Sequence, residues 1–166
     1  MGTRRESRER AVQFLFQRDV NSEGELPEAL DRFWESQSKA ARDLEKGDAL
    51  WNEKVELPPP TMEEITTRAF ADPLITGVLE NRERLDEEIA KHAANWTIDR
   101  IAVVDRNILR LAIFEMLFRD DIPPVVSINE GVDIAKRFST DDSGKFVNGI
   151  LDKVKAGLSR PARSAN

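Results

Sequence analysis

Four arginines fall within the first ten residues, at positions 4, 5, 8 and 10. A guanidinium fork matches the geometry of a phosphate better than any other side chain. Far along the chain, Lys145-Phe146 places a cation beside an aromatic ring. That pairing can stack on an unpaired base while the ammonium meets a neighbouring phosphate. Just before it, Asp141-Asp142-Ser143 offers paired carboxylates, suited to acid–base chemistry or to closing a helix N-terminus. Between these ends, Asp105, Arg106 and Arg110 sit at the start of the most apolar stretch of the sequence.

The elements that must position these groups read as helices. Thr3-Arg4-Arg5-Glu6 has capping-box spacing and predicts a helix start. Ala11, Val12, Leu15 and Phe16 continue it as an apolar face, and Arg4 and Arg8 project on that same side one and two turns earlier. Positive charge at a helix start opposes the macrodipole. Two readings follow: a solvated end pairing with Glu6 and Glu9, or an arm that binds phosphates.

The run Ile108 to Phe118 is apolar on nearly every side, so it predicts a helix enclosed by others; it is too short to span a membrane. Asp105, Arg106 and Arg110 either meet a partner or brace neighbouring helices. Glu115, inside this run, reads as a buried brace. Pro123-Pro124 stops the helix, and Ser127-Ile128-Asn129-Glu130 has the spacing of a second capping box. Ile128, Val132, Ala135 and Phe138 then share one face. After a polar joint at 139–144, Val147, Ile150, Leu151, Val154 and Leu158 form the stripe of a last helix. One of Asp141 and Asp142 is expected to cap it. Phe146 lies about 95° from the stripe, as a rim of the core or a stacking platform. Asn148-Gly149 predicts a close helix approach.

Elsewhere, Leu26, Leu30, Phe33 and Trp34 mark a second amphipathic helix, followed by a charged segment at about 39–60. Thr61 to Glu64 predicts a short helix to about Ala69. Asp72-Pro73 reads as a cap with proline at the first position of a longer helix reaching Ala93. Trp96 reads as a core anchor. Strand-type alternation is missing, so the fold is expected to be all-α. Residues 1–95 are expected to form one helical subdomain, 96–158 a second, and 159–166 a flexible tail.

Composition narrows the function. The chain has no cysteine and one histidine, His92, which leaves no thiolate or multi-histidine metal site. No cofactor is expected. No signal peptide or spanning segment is visible, so a soluble cytoplasmic protein without a membrane partner is the expectation. The net charge is −6, yet the first 20 residues carry five arginines against three acids. Residues 21–90 hold eight basic and eighteen acidic residues, and both ends are positive. A local patch can bind an anion even so, because screening reaches only about 8 Å at physiological salt. A Gly-rich phosphate loop, a metal cluster and a nucleophile constellation are all missing, so an enzyme is not expected. A recognition helix near 124–138 would present Asn129, Asp133, Lys136 and Arg137, a poor set for reading duplex DNA.

The blocks Trp96…Arg100…Val104-Asp105-Arg106…Ile108-Leu109-Arg110-Leu111-Ala112-Ile113-Phe114-Glu115, Ile128-Asn129-Glu130 and Lys145-Phe146-Val147-Asn148-Gly149-Ile150-Leu151, in this order, resemble the NusB transcription antitermination family. The opening run RRESRERAVQFLFQ resembles that family's arginine-rich first helix. The resemblance implies a bundle of two antiparallel three-helix units sharing a core. It implies an RNA-binding adaptor that recognises single-stranded boxA RNA of ribosomal transcripts with the ribosomal protein NusE, within an antitermination complex on RNA polymerase. It places Arg4, Arg5, Arg8, Arg10, Asp142, Ser143, Lys145 and Phe146 toward RNA, and Asp105, Arg106, Arg110 and Asp141 toward the partner. NusB-like domains also occur beside ribosomal RNA cytosine methyltransferases, so a non-catalytic accessory module is the alternative; this chain has no room for a cofactor-binding α/β domain. Gly131 departs from the family, which more often has alanine there. A homodimer is left open.

Overall fold

The computed structural model describes residues 3–46, 59–93 and 97–158, with side chains omitted at 42–46. Trp96, most of the charged segment at 39–60 and the tail from 159 lie outside the described residues. Within them are seven α-helices and one short 3-10 turn: α1 (Arg4–Val20), α2 (Leu26–Lys46), α3 (Met62–Glu80), α4 (Arg82–His92), the turn Ile98–Arg100, α5 (Val103–Phe118), α6 (Pro124–Phe138) and α7 (Asp141–Ala156). No strand occurs among the described residues. The fold is all-α.

The apolar run becomes α5, and α5 is the axis of the bundle. It packs against α1, α3, α4, α6 and α7. Leu109 and Ile113 are fully enclosed, and burying such a side chain is worth about 1.5–3 kcal/mol. Only the end emerges, where Phe118 is exposed and stacks on Phe114. One continuous hydrophobic cluster takes side chains from all seven α-helices, so four helices before residue 95 and three after it share a core.

Local chemistry explains where the helices start and where several expectations fail. Thr3 caps α1 by accepting from the Glu6 amide at 3.0 Å, and Thr61 with Glu64 closes a full capping box on α3. Ser127 is not a cap. Helix α6 begins earlier, at Pro124, where a proline costs no hydrogen bond, and Ser127 turns its hydroxyl inward to Glu115. Asp72 is not a cap either, because α3 runs straight through Pro73. A mid-helix proline costs about 3 kcal/mol; full burial of Ala71, Leu74 and Ile75 around it offsets that. Asp72 instead accepts from the Trp34 indole at 2.8 Å and from Arg68 at 2.9 Å, fastening α2 to α3. The break comes at Asn81, whose side-chain amide donates to the Gly77 carbonyl and ends α3.

Two further expectations are corrected. Gly149 is exposed, and a Cβ there would meet open space. The close approach is made by Gly77, where an added Cβ would fall 2.1 Å from the Phe114 ring. Phe138 does not join the buried face of α6: it is 39% exposed, while Ile128, Gly131, Ile134 and Ala135 turn inward.

Candidate nucleic-acid interface

The arginines of α1 divide by the direction each one faces. Arg8 points into the bundle, where its guanidinium makes two 2.8 Å bonds to the Glu115 carboxylate. The two side chains are 3% and 1% exposed, and the Ser127 hydroxyl donates to the same carboxylate at 2.9 Å. Arg8, expected at the phosphate surface, is thereby withdrawn from it. Burying this pair is costly unless it is fully hydrogen-bonded, and the Ser127 bond helps meet that demand.

Arg5 is exposed and lies across to α6, bonded to Glu130 at 2.7 Å and to Asp133 at 2.7 Å. Those carboxylates hold the Arg5 charge firmly, its pKa raised chiefly by the Glu130 hydrogen bond. One turn on, Glu9 of α1 accepts from Arg137 of α6 at 2.8 Å. The matched spacing shows α1 and α6 pointing the same way, bridged by these long side chains. Arg4 is exposed on the other flank, its guanidinium 5.0 Å from the centre of the Phe70 ring; Arg119 lies over the same ring at 5.7 Å. Arg10 faces α2, bonding Gln37 and lying 3.7 Å from Glu6. Such exposed pairs are worth little, about 0–1 kcal/mol each, so a phosphate can displace them.

The second group gathers where α7 begins. Thr140 is the cap here, not Asp141 or Asp142: its hydroxyl accepts from the Ser143 amide at 3.0 Å. Asp141 and Asp142 occupy the exposed first turn, where acid complements the helix dipole. The Ser143 hydroxyl donates to Asp105 Oδ2 at 3.0 Å, joining the start of α7 to the start of α5. Asp105 is buried, and burial pushes its pKa up, against the opposing Ser143 bond. Its Oδ1 and the Nε of neighbouring Arg106 are buried without a hydrogen-bond partner among the described residues. Lys145 is exposed, and Phe146 is half-buried against the edge of the core.

Arg110, expected toward a partner, is 2% exposed. It bonds Asp86 at 2.7 Å and Asp19 at 2.8 Å, with Asn107 completing the set. It braces α1, α4 and α5 and reaches no surface.

Helices α1 and α5 run antiparallel, because Arg8 meets Glu115 while Asp19 meets Asn107 and Arg110. The α1 arginines and the Asp105–Ser143 corner therefore sit toward opposite ends of α5. Asp105 and Glu115 are ten residues apart, about 15 Å of helix. Phe16, expected on the buried face of α1, is 38% exposed, and sequence reading missed Val20, at 67% exposure. Phe16 lies one turn before Asp19 on α1. Its place at the end of an otherwise buried face was the available signal.

Among the described residues no group of histidine, cysteine or acidic side chains could hold a metal ion. No helix there is long and apolar enough to cross a membrane. What the fold presents is a helical scaffold with charged and aromatic edges, the class of a binding protein. The NusB family model matches residues 5–156, and the chain belongs to the NusB family. It is 41% identical to the transcription antitermination protein NusB of Bacillus licheniformis, covering 93% of this chain and 98% of that one. It is 40% identical to that of Myxococcus xanthus, covering 97% and 100%. Among solved structures, T. maritima NusB matches with a TM-score of 0.69 at 32% identity, covering 96% of each chain. A crystal structure of the antitermination factors NusB and NusE with double-stranded RNA matches with a TM-score of 0.69 at 25% identity, covering 93% of this chain and 97% of that one.

Proposed function

We propose that this protein is a cytoplasmic transcription antitermination factor that binds RNA together with the ribosomal protein NusE. It acts by binding alone, without catalysis. The observation that carries the reading is the pair of separate basic and aromatic edges, α1 and α7, set on a rigid α5 axis in a chain of the NusB family. Exposed Arg4, Arg5 and half-buried Arg10 hold phosphates, while Lys145 and Phe146 engage an unpaired base beside Asp142 and Ser143. Half-buried Arg106 and exposed Asp141 face the protein partner, while Asp105, expected there too, is buried and holds Ser143 from behind.

The apolar pair Phe16 and Val20 gives that partner a hydrophobic contact. In this reading the helices before residue 95 supply the arginine edge and those from 96 to 158 supply the corner. The RNA is the boxA type, and the complex modifies RNA polymerase on ribosomal transcripts.

The test is a titration of single-stranded and duplex boxA-like RNA with and without purified NusE. The expected result is weak binding by the protein alone and tighter binding once NusE is present, with single strands preferred. By linkage, RNA should tighten NusE binding by the same factor. Equal RNA affinity with and without NusE would contradict it.

A further inference from the structure

The last turns of α1 and the first half of α2 enclose a cleft. Helix α1 lines it with Phe14, Gln17, Arg18 and Asn21, at steps of three, one and three, and α2 repeats that spacing from Ala29 to Ser36. Residues so spaced share one helix face, so each helix turns a single stripe toward the other. Phe14 and Phe33 are buried and meet edge to face at 5.4 Å, closing the floor. The cleft holds about 260 Å³, just below the roughly 300–1,000 Å³ of sites for drug-sized ligands. It suits a small compound.

Two cations converge in this cleft. Arg18 donates to the Glu23 and Gly24 carbonyls, each at 3.0 Å. Arg32 reaches the same glycine from α2, where its Nη2 would lie 3.1 Å from an added Cβ. Gly24 has a φ of 77°, which glycine adopts without strain, and its bare Cα leaves room for the second guanidinium. Among the described residues Arg32 makes no hydrogen bond or ion pair, and Arg18 meets no carboxylate. Glu23 also lines the cleft, yet its carboxylate pairs with neither. Backbone carbonyls satisfy the Arg18 donors and leave its charge uncompensated. Two like charges in one concave site focus a positive potential there. A phosphate dianion would neutralise both, whereas a carboxylate would neutralise one, and the guanidinium fork matches phosphate geometry.

We propose that the cleft between α1 and α2 is a binding site for a small phosphorylated compound. Its phosphate sits between Arg18 and Arg32, its body lies toward Phe14 and Phe33, and Gln17, Asn21 and Ser36 supply neutral donors around it. The site is separate from the edges described above. Arg18 is fourteen residues from Arg4, about 21 Å along the helix. Gln17, Asn21 and Arg18 lie about 100–200° around α1 from Phe16, away from the Phe16–Val20 face. Because one arginine belongs to each helix, a bound phosphate ties α2 to the end of α1. The proposal stands independently of the RNA-binding reading.

The experiment titrates the full chain at low salt, by calorimetry, with inorganic phosphate, pyrophosphate and adenosine monophosphate, and with adenosine as the unphosphorylated control. The wild type should bind at least one phosphate compound with a Kd below about 1 mM and should ignore adenosine; comparing the three probes shows whether a free phosphate or an ester fits. The bound compound should also raise the melting temperature, since it binds the folded state alone. Arg32→Gln removes a guanidinium with no partner to lose, so it should melt as wild type. It should weaken phosphate binding by about 10- to 150-fold, one charge-assisted hydrogen bond. Its affinity for a boxA-like RNA with NusE should stay at the wild-type value. The proposal is overturned if none of the three phosphate compounds binds, or if Arg32→Gln binds them as the wild type does. It is overturned equally if Arg32→Gln loses RNA affinity by the same factor, because the phosphate held there would then be that of the RNA.

Discussion

Arg8 and Glu115 meet through two 2.8 Å bonds in the interior, 107 residues apart in sequence. This pair pins the first helix to the C-terminal end of the central one. It also decides which arginines of α1 face outward: with Arg8 held inside, Arg4 and Arg5 leave on opposite flanks, over Phe70 and over α6.

The first prediction separates structural from binding arginines. Arg8→Gln leaves Glu115 buried without its ion partner and should cost about 3–5 kcal/mol of stability. Arg4→Gln, exposed over Phe70, should change stability by about 0.5 kcal/mol or less while weakening RNA binding. Chemical denaturation of both variants beside an RNA titration checks this. Equal stability losses would contradict it.

The second prediction concerns two glycines. Gly149→Ala replaces glycine in an exposed helix interior and should stabilise by about 0.5–1 kcal/mol. Gly77→Ala forces a methyl group into the Phe114 ring and should destabilise by about 1–3 kcal/mol. Melting temperatures should therefore move in opposite directions.

These glycines also show where sequence reading reaches its limit. The helical class, the enclosed α5, the Thr3 and Thr61 caps and a buried Glu115 were legible, because each rests on local spacing or on periodicity. A glycine's role depends on what packs against it, and no local pattern identifies Gly77 over Gly149. The same holds for Arg8 and Arg110. Their carboxylate partners, Glu115, Asp19 and Asp86, lie 24 to 107 residues away, so burial could not be told from exposure. Pro73 misled for a different reason: tertiary burial outweighed the local cost of proline. Phe138 fitted the apolar spacing yet fell in the last turn of its helix, where the face has run past the core.

The third prediction uses the buried Asp105. Burial raises its pKa above the ordinary carboxylate value, so the folded state favours the protonated form. Its contribution to stability is present below the unfolded pKa and is lost as pH rises through the raised folded value. Asp105→Asn should therefore melt higher than wild type at pH 7, with the difference shrinking as pH falls through the raised pKa. Melting curves of both proteins from pH 3 to 7 test this, and a wild type that melts higher than the variant at pH 7 would contradict it.

The most direct test of the central claim is the affinity of the NusE-bound protein for a short single-stranded boxA-like RNA, wild type against Phe146→Ala. The account predicts a loss of about 1–3 kcal/mol for the variant, with NusE binding itself unchanged. Undiminished RNA affinity for Phe146→Ala, in a variant that still folds and still binds NusE, would contradict it.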